Sequence, residues 1–266
     1  MRSVYLLVLS VALVVSQSAL AGPGPTGGDT TIGAYDAATG RFFLRNSNSG
    51  GTADGGSFLF QQPNRVPVTG NWDGDADTTI GAYDPATARY FLRNSNSGGT
   101  ADAGSFLFQQ PNRIPIAGDW DGDGDTTIGA YDPAAGRFFL KNANAGGTAD
   151  IVFLFQQPNR VPIVGDWDGD DDYTIGAYDP TTGRYFLRNS NSGGAADGGS
   201  FLFQQPNRKP VTGDWDADGD TTIGAYDSAA GRFFLRNSNS GGTADGGSFL
   251  FQQPNRIPIT GDWDGS

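Results

Sequence analysis

A five-residue string, Ile-Gly-Ala-Tyr-Asp, recurs five times in this chain at almost constant spacing. It begins at residues 32, 80, 128, 175 and 223, which are 48, 48, 47 and 48 residues apart. The five tryptophans follow the same step. A period in this range is typical of β-propellers and other repeat arrays, in which each repeat packs on its neighbours. The repeat therefore argues against dividing the 266 residues into two unrelated domains.

Each period contains four short segments with the composition of β-strands. In one repeat these are residues 115–120, 127–131, 137–141 and 152–156, which are rich in aromatic and β-branched residues and bounded by turn formers. Apolar side chains fall on both faces, as in Phe138-Phe139-Leu140, which suits a sheet packed between two other sheets. The 41 Gly and 15 Pro also oppose helix. We predict an all-β protein built from four-stranded antiparallel propeller blades.

The phase of the repeat predicts how the ring closes. The region after residue 21 begins at the second strand of a blade, near Thr30, whereas the chain ends on a first strand, residues 258–263. Together these ends complete one blade, and an open solenoid is instead expected to carry atypical polar caps. We therefore predict a five-bladed β-propeller over residues 22–266, with the ring closed by the C-terminal strand joining the N-terminal blade.

One aromatic position alternates between Phe and Tyr along the repeats. The five residues are Phe42, Tyr90, Phe138, Tyr185 and Phe233. Because a hydroxyl is tolerated there, we predict that this ring edge reaches water or a polar partner.

Residues 1–21 have the features of a secretory signal peptide. Arg2 precedes an apolar run from Val4 to Val15, and Ala19-Leu20-Ala21 has the small residues of a cleavage site. The run is shorter than the roughly 20 residues that span a bilayer. A buried N-terminal strand or helix is the alternative. We expect a secreted protein, extracellular or periplasmic, with no membrane insertion.

The amino-acid composition excludes most catalytic chemistries and argues against several classes of binding partner. The chain has no Cys and no His, and all 29 acidic residues are Asp, so disulfides, thiol nucleophiles, most triads and most zinc sites are excluded. The formal net charge of −12 disfavours nucleic acid and anionic bilayers and favours cations. Every Asp that could serve as a glycosidase carboxylate has copies in other repeats, so we expect no catalytic centre.

An Asp-rich loop joins the first and second strands of each blade. One copy reads Asp-Trp-Asp-Gly-Asp-Gly-Asp over residues 119–125, and oxygens at loop positions 1, 3 and 5 with Gly at position 6 suit a cation of calcium size. The match is weaker where Asn71 begins the loop, and where Ala76 and Asp171 replace the Gly. No Glu stands at position 12, so the loop is not an EF-hand. A run of Asx turns without metal is the alternative.

We predict metal ligands at positions 1, 3, 5 and 7 of the four complete loops. These residues are Asn71, Asp73, Asp75, Asp77, Asp119, Asp121, Asp123, Asp125, Asp166, Asp168, Asp170, Asp172, Asp214, Asp216, Asp218 and Asp220.

With the following Thr-Ile-Gly-Ala-Tyr-Asp-Pro, these loops resemble FG-GAP/VCBS-type repeats, the propeller units of integrin α-chains and many secreted bacterial proteins. The resemblance covers residues 27–266 and is most specific at 118–124. It implies calcium bound by side chains at positions 1, 3, 5 and 9 and by the carbonyl at position 7, here that of Asp125. Position 9 is Thr in every complete loop (Thr79, Thr127, Thr174, Thr222), which lowers the expected affinity. The fifth loop is split between Asp262 and Asp264 at one end and Asp29 at the other.

The remaining loops leave three functions open. Strand alternation puts the Asp loops and the Asn-Ser-Gly loops on one face, and the Asp-Pro-Ala and Gln-Gln-Pro-Asn-Arg segments on the other. Such side chains beside aromatic edges could bind sugars, although turn chemistry and links through Arg65 and its equivalents also explain them. We expect a monomeric calcium-binding module for carbohydrate or cell-surface ligands, whose repeated sites gain by multivalency. A structural or protein-interaction scaffold and an Asp-dependent polysaccharide-active enzyme are the alternatives.

Overall fold

A computed structural model of the chain describes residues 29–265, which contain twenty β-strands. The predicted signal peptide lies outside the described residues. Within residues 29–265 there is no helix long and apolar enough to cross a membrane.

The strands run in chain order as β1 (Thr31–Asp36), β2 (Arg41–Leu44), β3 (Gly56–Leu59), β4 (Val66–Gly70), β5 (Thr79–Asp84), β6 (Arg89–Leu92), β7 (Gly104–Leu107), β8 (Ile114–Gly118), β9 (Thr127–Asp132), β10 (Arg137–Leu140), β11 (Ile151–Leu154), β12 (Val161–Gly165), β13 (Thr174–Asp179), β14 (Arg184–Leu187), β15 (Gly199–Leu202), β16 (Lys209–Gly213), β17 (Thr222–Asp227), β18 (Arg232–Leu235), β19 (Gly247–Leu250) and β20 (Ile257–Gly261).

Five antiparallel four-stranded sheets form the blades. Blade 1 has the order β20-β1-β2-β3, and blades 2 to 5 are β4–β7, β8–β11, β12–β15 and β16–β19. In blade 1, Thr31 pairs with Gly261 and Tyr35 with Ile257. This register equals that of Thr79 with Gly70 in blade 2, so the C-terminal strand takes the place of a first strand. The predicted five-bladed propeller and its closure are confirmed.

The innermost strands of the blades surround the central axis. β4, β8, β12, β16 and β20 contact one another in that cyclic order, and β20 contacts β4. Three threonine hydroxyls donate across blade boundaries: Thr69 to the carbonyl of Thr260 (3.1 Å), Thr260 to that of Thr212 (2.9 Å), and Thr212 to that of Val164 (2.9 Å). All four side chains are fully buried, so the axis is filled with packed side chains at this level.

Burial decreases from the axis outward. The second strand of each blade, Thr-Ile-Gly-Ala-Tyr-Asp, is buried along its length in three blades and all but its last residue in the other two, because neighbouring blades cover both of its faces. Each outermost strand instead alternates between half-buried and exposed residues, and Leu59 is 49% exposed. The predicted burial of apolar residues on both faces is therefore found in the inner strands. It is not found in the outermost strands, each of which pairs with one strand only.

The alternating aromatic position lies inside the core. The Tyr90 hydroxyl donates to the carbonyl of Gly129 in the next blade (2.6 Å), and the Tyr185 hydroxyl donates to that of Gly224 (2.7 Å). Phenylalanine fills the same buried position in the other three blades. The predicted polar partner is thus a backbone carbonyl of the neighbouring blade.

The face that carries the Asp loops is held together by a repeated pair of hydrogen bonds. The Thr126 N–H donates to the carbonyl of Asn71 in the preceding blade (2.6 Å), and the Asn71 N–H donates to the Thr126 hydroxyl (3.0 Å). Thr30, Thr78 and Thr221 form the same clasp at three other boundaries. At the remaining boundary Tyr173 replaces the threonine, and its N–H donates to the Asp119 carbonyl (2.9 Å). The first residue of every loop is therefore fixed by the next blade.

The opposite face carries the segments that lead from blade to blade. The Asn64 N–H donates to the Ala37 carbonyl of the preceding blade (2.7 Å), whereas the Arg65 guanidinium pairs with Asp84 (3.1 Å) and lies over Phe91 in the following blade. The ion pair and the ring contact recur at all five boundaries. Arg65 and its equivalents thus bind each connecting segment to the blade that follows it, whereas the ion pair itself does not join two blades as predicted.

Candidate metal centre

The Asp loops and the Asn-Ser-Gly loops share one face of the propeller, as the strand directions predicted. The Asn48 amide donates to the carbonyl of Thr30, position 8 of the split Asp loop (2.7 Å). The Asn189 amide donates to the Asp168 carboxylate at position 3 (2.7 Å). Asn142 and Asn237 form the equivalent hydrogen bond in their own blades. Sequence reasoning did not single out these asparagines, although their place on the same face was the signal that could have done so.

The first Asp of a loop organises the residues that follow it. The Asp119 carboxylate accepts hydrogen bonds from the N–H groups of Gly122 (2.8 Å), Asp123 (3.2 Å) and Gly124 (2.8 Å). The Asp123 carboxylate accepts one from the Asp125 N–H (3.2 Å). Asp119 is itself 5% exposed, and its backbone carbonyl accepts the hydrogen bond from Tyr173 of the next blade. The loop therefore curls around a fixed carboxylate, which brings positions 3 and 5 close to position 1.

Three loops gather three carboxylates each. One oxygen from each of positions 1, 3 and 5 lies within 4.8 Å of the other two in these loops. Calcium binds oxygen at about 2.3–2.6 Å, so one ion can bridge such a group. The triplets are Asp119, Asp121 and Asp123; Asp166, Asp168 and Asp170; and Asp214, Asp216 and Asp218.

The blade 2 loop has a different conformation, and two substitutions explain it. In the triplet loops the residue at position 6 has a positive φ (96° at Gly124, 70° at Asp171) and its N–H donates to the first carboxylate. Aspartate tolerates this left-handed region, so Asp171 preserves the loop that its sequence had suggested was weaker. Ala76 is not among the residues with positive φ. Asn71 instead donates its amide to the Asp75 carbonyl (2.9 Å), and Asp73 lies beside Asp75.

One oxygen of the blade 2 loop has no hydrogen bond. Asn71 is 0% exposed, and its Oδ1 has no partner although the amide head lies within the loop. A buried acceptor without a donor is costly, and a cation would satisfy it. The donor set of this loop therefore also fits an oxygen-seeking ion.

The position 7 carboxylates lie outside the triplets. Asp125 stays beside Asp123 of its own loop. Asp172 and Asp220 instead lie over the glycines at position 4 of the preceding blades, Gly122 and Gly169. Asp77 lies likewise over Gly265. Positions 1, 3 and 5 are thus close together in three of the four complete loops, and position 7 faces a different loop in three cases, while the role of these residues as metal ligands stays a prediction.

The acid excess of the protein is concentrated on this face. The described residues form ten ion pairs, and none of these uses an Asp of the four complete loops. Their acidic partners are the ten Asp residues outside the loops: Asp36, Asp54, Asp84, Asp102, Asp132, Asp150, Asp179, Asp197, Asp227 and Asp245. The loop carboxylates have other carboxylates as charged neighbours, and a bound cation would relieve their repulsion.

The pKa values reflect this crowding. Burial first, and then the charge of Asp123, raises the pKa of Asp121. Burial and the adjacent Asp123 carboxyl raise the pKa of Asp125 to about 6. Outside the loops the direction reverses, because the Asn46 N–H and then Arg45 lower the pKa of Asp54. Charge is therefore unfavourable to the fold inside the loops and favourable outside them.

We expect the cation-free protein to be more stable at pH 5 than at pH 7. A raised pKa means that the folded state binds the proton more tightly, so this contribution is complete below the unfolded value and is lost as the pH rises through the folded value, about 6 for Asp125. The contribution of Asp54 and its equivalents is lost only as the pH falls below about 4. Melting temperatures in chelator should therefore rise from pH 7 to 5 and fall below pH 4. A steady decrease from pH 7 to 5 would contradict the crowded loops.

No protein-family model, curated protein or solved structure matches the chain. The likeness to FG-GAP/VCBS-type repeats is thus a resemblance in the loop sequence, whereas the propeller and the three Asp triplets are properties of the structure itself.

Proposed function

We propose that this chain is a secreted calcium-binding β-propeller that acts as a non-catalytic binding module for carbohydrate or other cell-surface ligands. The observation that carries the proposal is the set of three Asp triplets on one face, without a basic partner among the described residues. Calcium is the ion of choice because all the donors are oxygens on loops, and magnesium demands a tighter octahedral geometry.

Within each triplet loop, the carboxylates at positions 1, 3 and 5 would hold the ion. In blade 2 the unpartnered Oδ1 of Asn71 would join Asp73 and Asp75. The positive charge of the ion would offset the repulsion between the carboxylates of this face. The ion would also restrict the motion of the loops. Each blade also presents an Asn-Ser-Gly loop beside its Asp loop, so a weak contact with a sugar hydroxyl would be repeated around the ring and gain by multivalency.

The absence of a distinct catalytic position supports a non-catalytic role. The triplets recur with the same geometry, and the chain has no His, Glu or Cys to act as a proton carrier near neutral pH. Aspartate remains, so turnover of a polysaccharide that is lost by substitution of one Asp in one blade would refute this part of the proposal.

A structural or protein-interaction scaffold is the second candidate, and one observation favours it. The Arg45 guanidinium makes five hydrogen bonds to its own loop, including 2.8 Å to the Thr52 carbonyl and 2.9 Å to Asp54. Four of these five hydrogen bonds recur at Arg93, Arg188 and Arg236. Many polar groups on this face are therefore engaged within the protein and are not available to a ligand.

A glycan array probed in calcium and in chelator separates the two candidates. A binding module should be retained on a subset of glycans in calcium and released by chelator. Replacement of Ser47 and Ser49 by alanine, the residues that blade 3 carries as Ala143 and Ala145, leaves the Asp loops intact and tests whether the neighbouring loop contacts the sugar. Calcium-dependent melting without retention on any glycan would favour the scaffold.

A further inference from the structure

The carboxylates at position 7 reach across blade boundaries. A Cβ atom added to Gly122 in blade 3 would lie 2.6 Å from the Asp172 Oδ1 of blade 4, and one added to Gly169 in blade 4 would lie 2.6 Å from the Asp220 Oδ1 of blade 5. Position 4 has positive φ at these glycines (68° and 70°), which glycine adopts without strain, and any side chain there would have to displace the carboxylate. The preceding loop thus leaves open the space that the next blade's carboxylate fills.

The clasp between blades holds the two carboxylate residues next to the preceding loop. Tyr173 is bonded through its N–H to the Asp119 carbonyl (2.9 Å), and Thr221 is bonded in the same way to Asp166 (2.6 Å). Asp172 and Asp220 are the residues immediately before these two anchors. Their backbone is therefore held beside the preceding loop, and their carboxylates lie over the glycine at position 4 of that loop.

The threonine at position 9 does not offer a ligand to the triplet of its loop. The Thr127 hydroxyl donates to the Gly118 carbonyl between the first two strands (3.3 Å), and the hydroxyls of Thr174 and Thr222 donate to the equivalent carbonyls. These hydroxyls are engaged in the sheet and do not turn toward the loop. Position 9 therefore gives a triplet no fourth ligand, and at position 7 Asp125 stays beside the triplet of its own loop.

The charges on the two sides of a boundary already interact. Burial, then Asp218 and Asp214 of its own loop, and then Asp168 of the preceding blade raise the pKa of Asp220. Burial, Asp75 and then Asp264 of the preceding blade raise the pKa of Asp77. An ion between the two loops would turn this repulsion into attraction. An independent sign of a missing ligand comes from a third boundary, where the buried Asn71 has an unpartnered Oδ1 and its amide lies 3.5 Å from the Gly124 carbonyl of the next blade.

We infer that the cations of the blade 3 and blade 4 loops are each shared with the following blade, whose position 7 carboxylate completes the oxygen shell of the preceding loop. Asp172 would then serve Asp119, Asp121 and Asp123, and Asp220 would serve Asp166, Asp168 and Asp170. This inference rests on the proposed calcium binding. A shared ion would connect two neighbouring blades of the ring, and its effect would not be confined to one loop.

A double-mutant cycle read by calorimetric calcium titration tests the assignment. Asp172→Asn is combined either with Asp121→Asn and Asp123→Asn in the blade 3 loop, or with Asp168→Asn and Asp170→Asn in its own blade 4 loop. If the ion is shared, Asp172→Asn alone weakens one site by about tenfold, the order expected on loss of one charged ligand. It adds nothing to the blade 3 variant, and it weakens a further site in the blade 4 variant.

The chain offers a matched control one residue away. Asp171→Asn removes the same charge from the same loop, and asparagine accepts the left-handed conformation that Asp171 adopts (φ 70°). This variant should leave the number of sites and their dissociation constants within about twofold of the parent. Equal effects of Asp171→Asn and Asp172→Asn, or coupling of Asp172→Asn with the blade 4 loop alone, would overturn the shared site. Absence of calcium binding by the parent protein would instead overturn the proposed function.

Discussion

A chain that ends at residue 256 should lose its cooperative, monomeric fold. The deleted segment contains all of β20, which pairs with Thr31 to Tyr35, together with Trp263, whose indole N–H donates to the Ile32 carbonyl (3.1 Å). Ile259 and Trp263 are buried, and burial of each such side chain contributes about 1.5–3 kcal/mol. Their loss, with that of a full strand of pairing, is comparable to the roughly 5–15 kcal/mol that stabilises a typical domain.

The truncated protein would also expose the inner edge of β1. An uncovered edge recruits a strand from another chain, so light scattering coupled to size exclusion should show dimers or larger species, and chemical unfolding should lose its sharp transition. A permuted chain that carries residues 257–266 directly before residue 28 is the control, because it rebuilds the split loop at its full length and should melt as a monomer. A monomeric truncation with an unchanged melting temperature would contradict the closed ring.

Calcium at a hundredfold excess over Kd should raise the melting temperature by about 15–30 °C, and chelator should reverse the rise. An ion that binds only the folded state stabilises it by about 2.7 kcal/mol per site at a hundredfold excess over Kd, and three such sites sum to roughly 8 kcal/mol. Extracellular sites with incomplete ligand sets bind in the range of roughly 0.1–1 mM, which sets the concentration needed. For a protein of this size each kcal/mol shifts melting by about 2–4 °C. Magnesium should act less.

Substitution within one loop should remove one part of this effect. Asp121→Ala with Asp123→Ala is expected to reduce the calcium-dependent shift by about a third and to leave the other triplets active. Asp54→Ala with Asp102→Ala removes two carboxylates outside the Asp loops and should lower melting equally in calcium and in chelator. Identical melting of the parent protein in the two conditions would mean that the Asp loops are turns without metal.

The sequence repeat predicted the strand positions closely because strand composition and turn residues are local features of the sequence. The strand predicted over 127–131 is β9 (Thr127–Asp132), and the strand predicted over 115–120 is β8 (Ile114–Gly118). The difference at β8 arises because Asp119 and Trp120 leave the sheet to begin the loop, with the Trp120 indole donating to the Ile128 carbonyl (3.2 Å). The strand predicted over 152–156 is β11 (Ile151–Leu154), which ends earlier where the chain turns toward blade 4.

The parts of the site that could not be predicted depend on contacts between blades. The spacing of Asp119, Asp121 and Asp123 indicated that they could share an ion, since positions 1, 3 and 5 of one loop meet by local curvature. Nothing in the same string indicates that Asp172 lies over a glycine 50 residues earlier, because that depends on the clasp at Tyr173. Likewise, the joint change to Asn71 and Ala76 is visible in the sequence, but its effect on the hydrogen bonds of the loop is not.

The pairing of β20 with β1 has a consequence for the order of folding. Blades 2 to 5 are built from consecutive strands, whereas the Thr31 hydroxyl bonds the Gly261 carbonyl 230 residues away. Contacts of such long sequence separation form slowly, because the chain entropy of closing the loop is lost before the contact is gained. Blade 1 should therefore be the last unit to form and the first to open. In hydrogen exchange its inner strands should be the least protected of the five equivalent pairs, although their sequences are nearly the same.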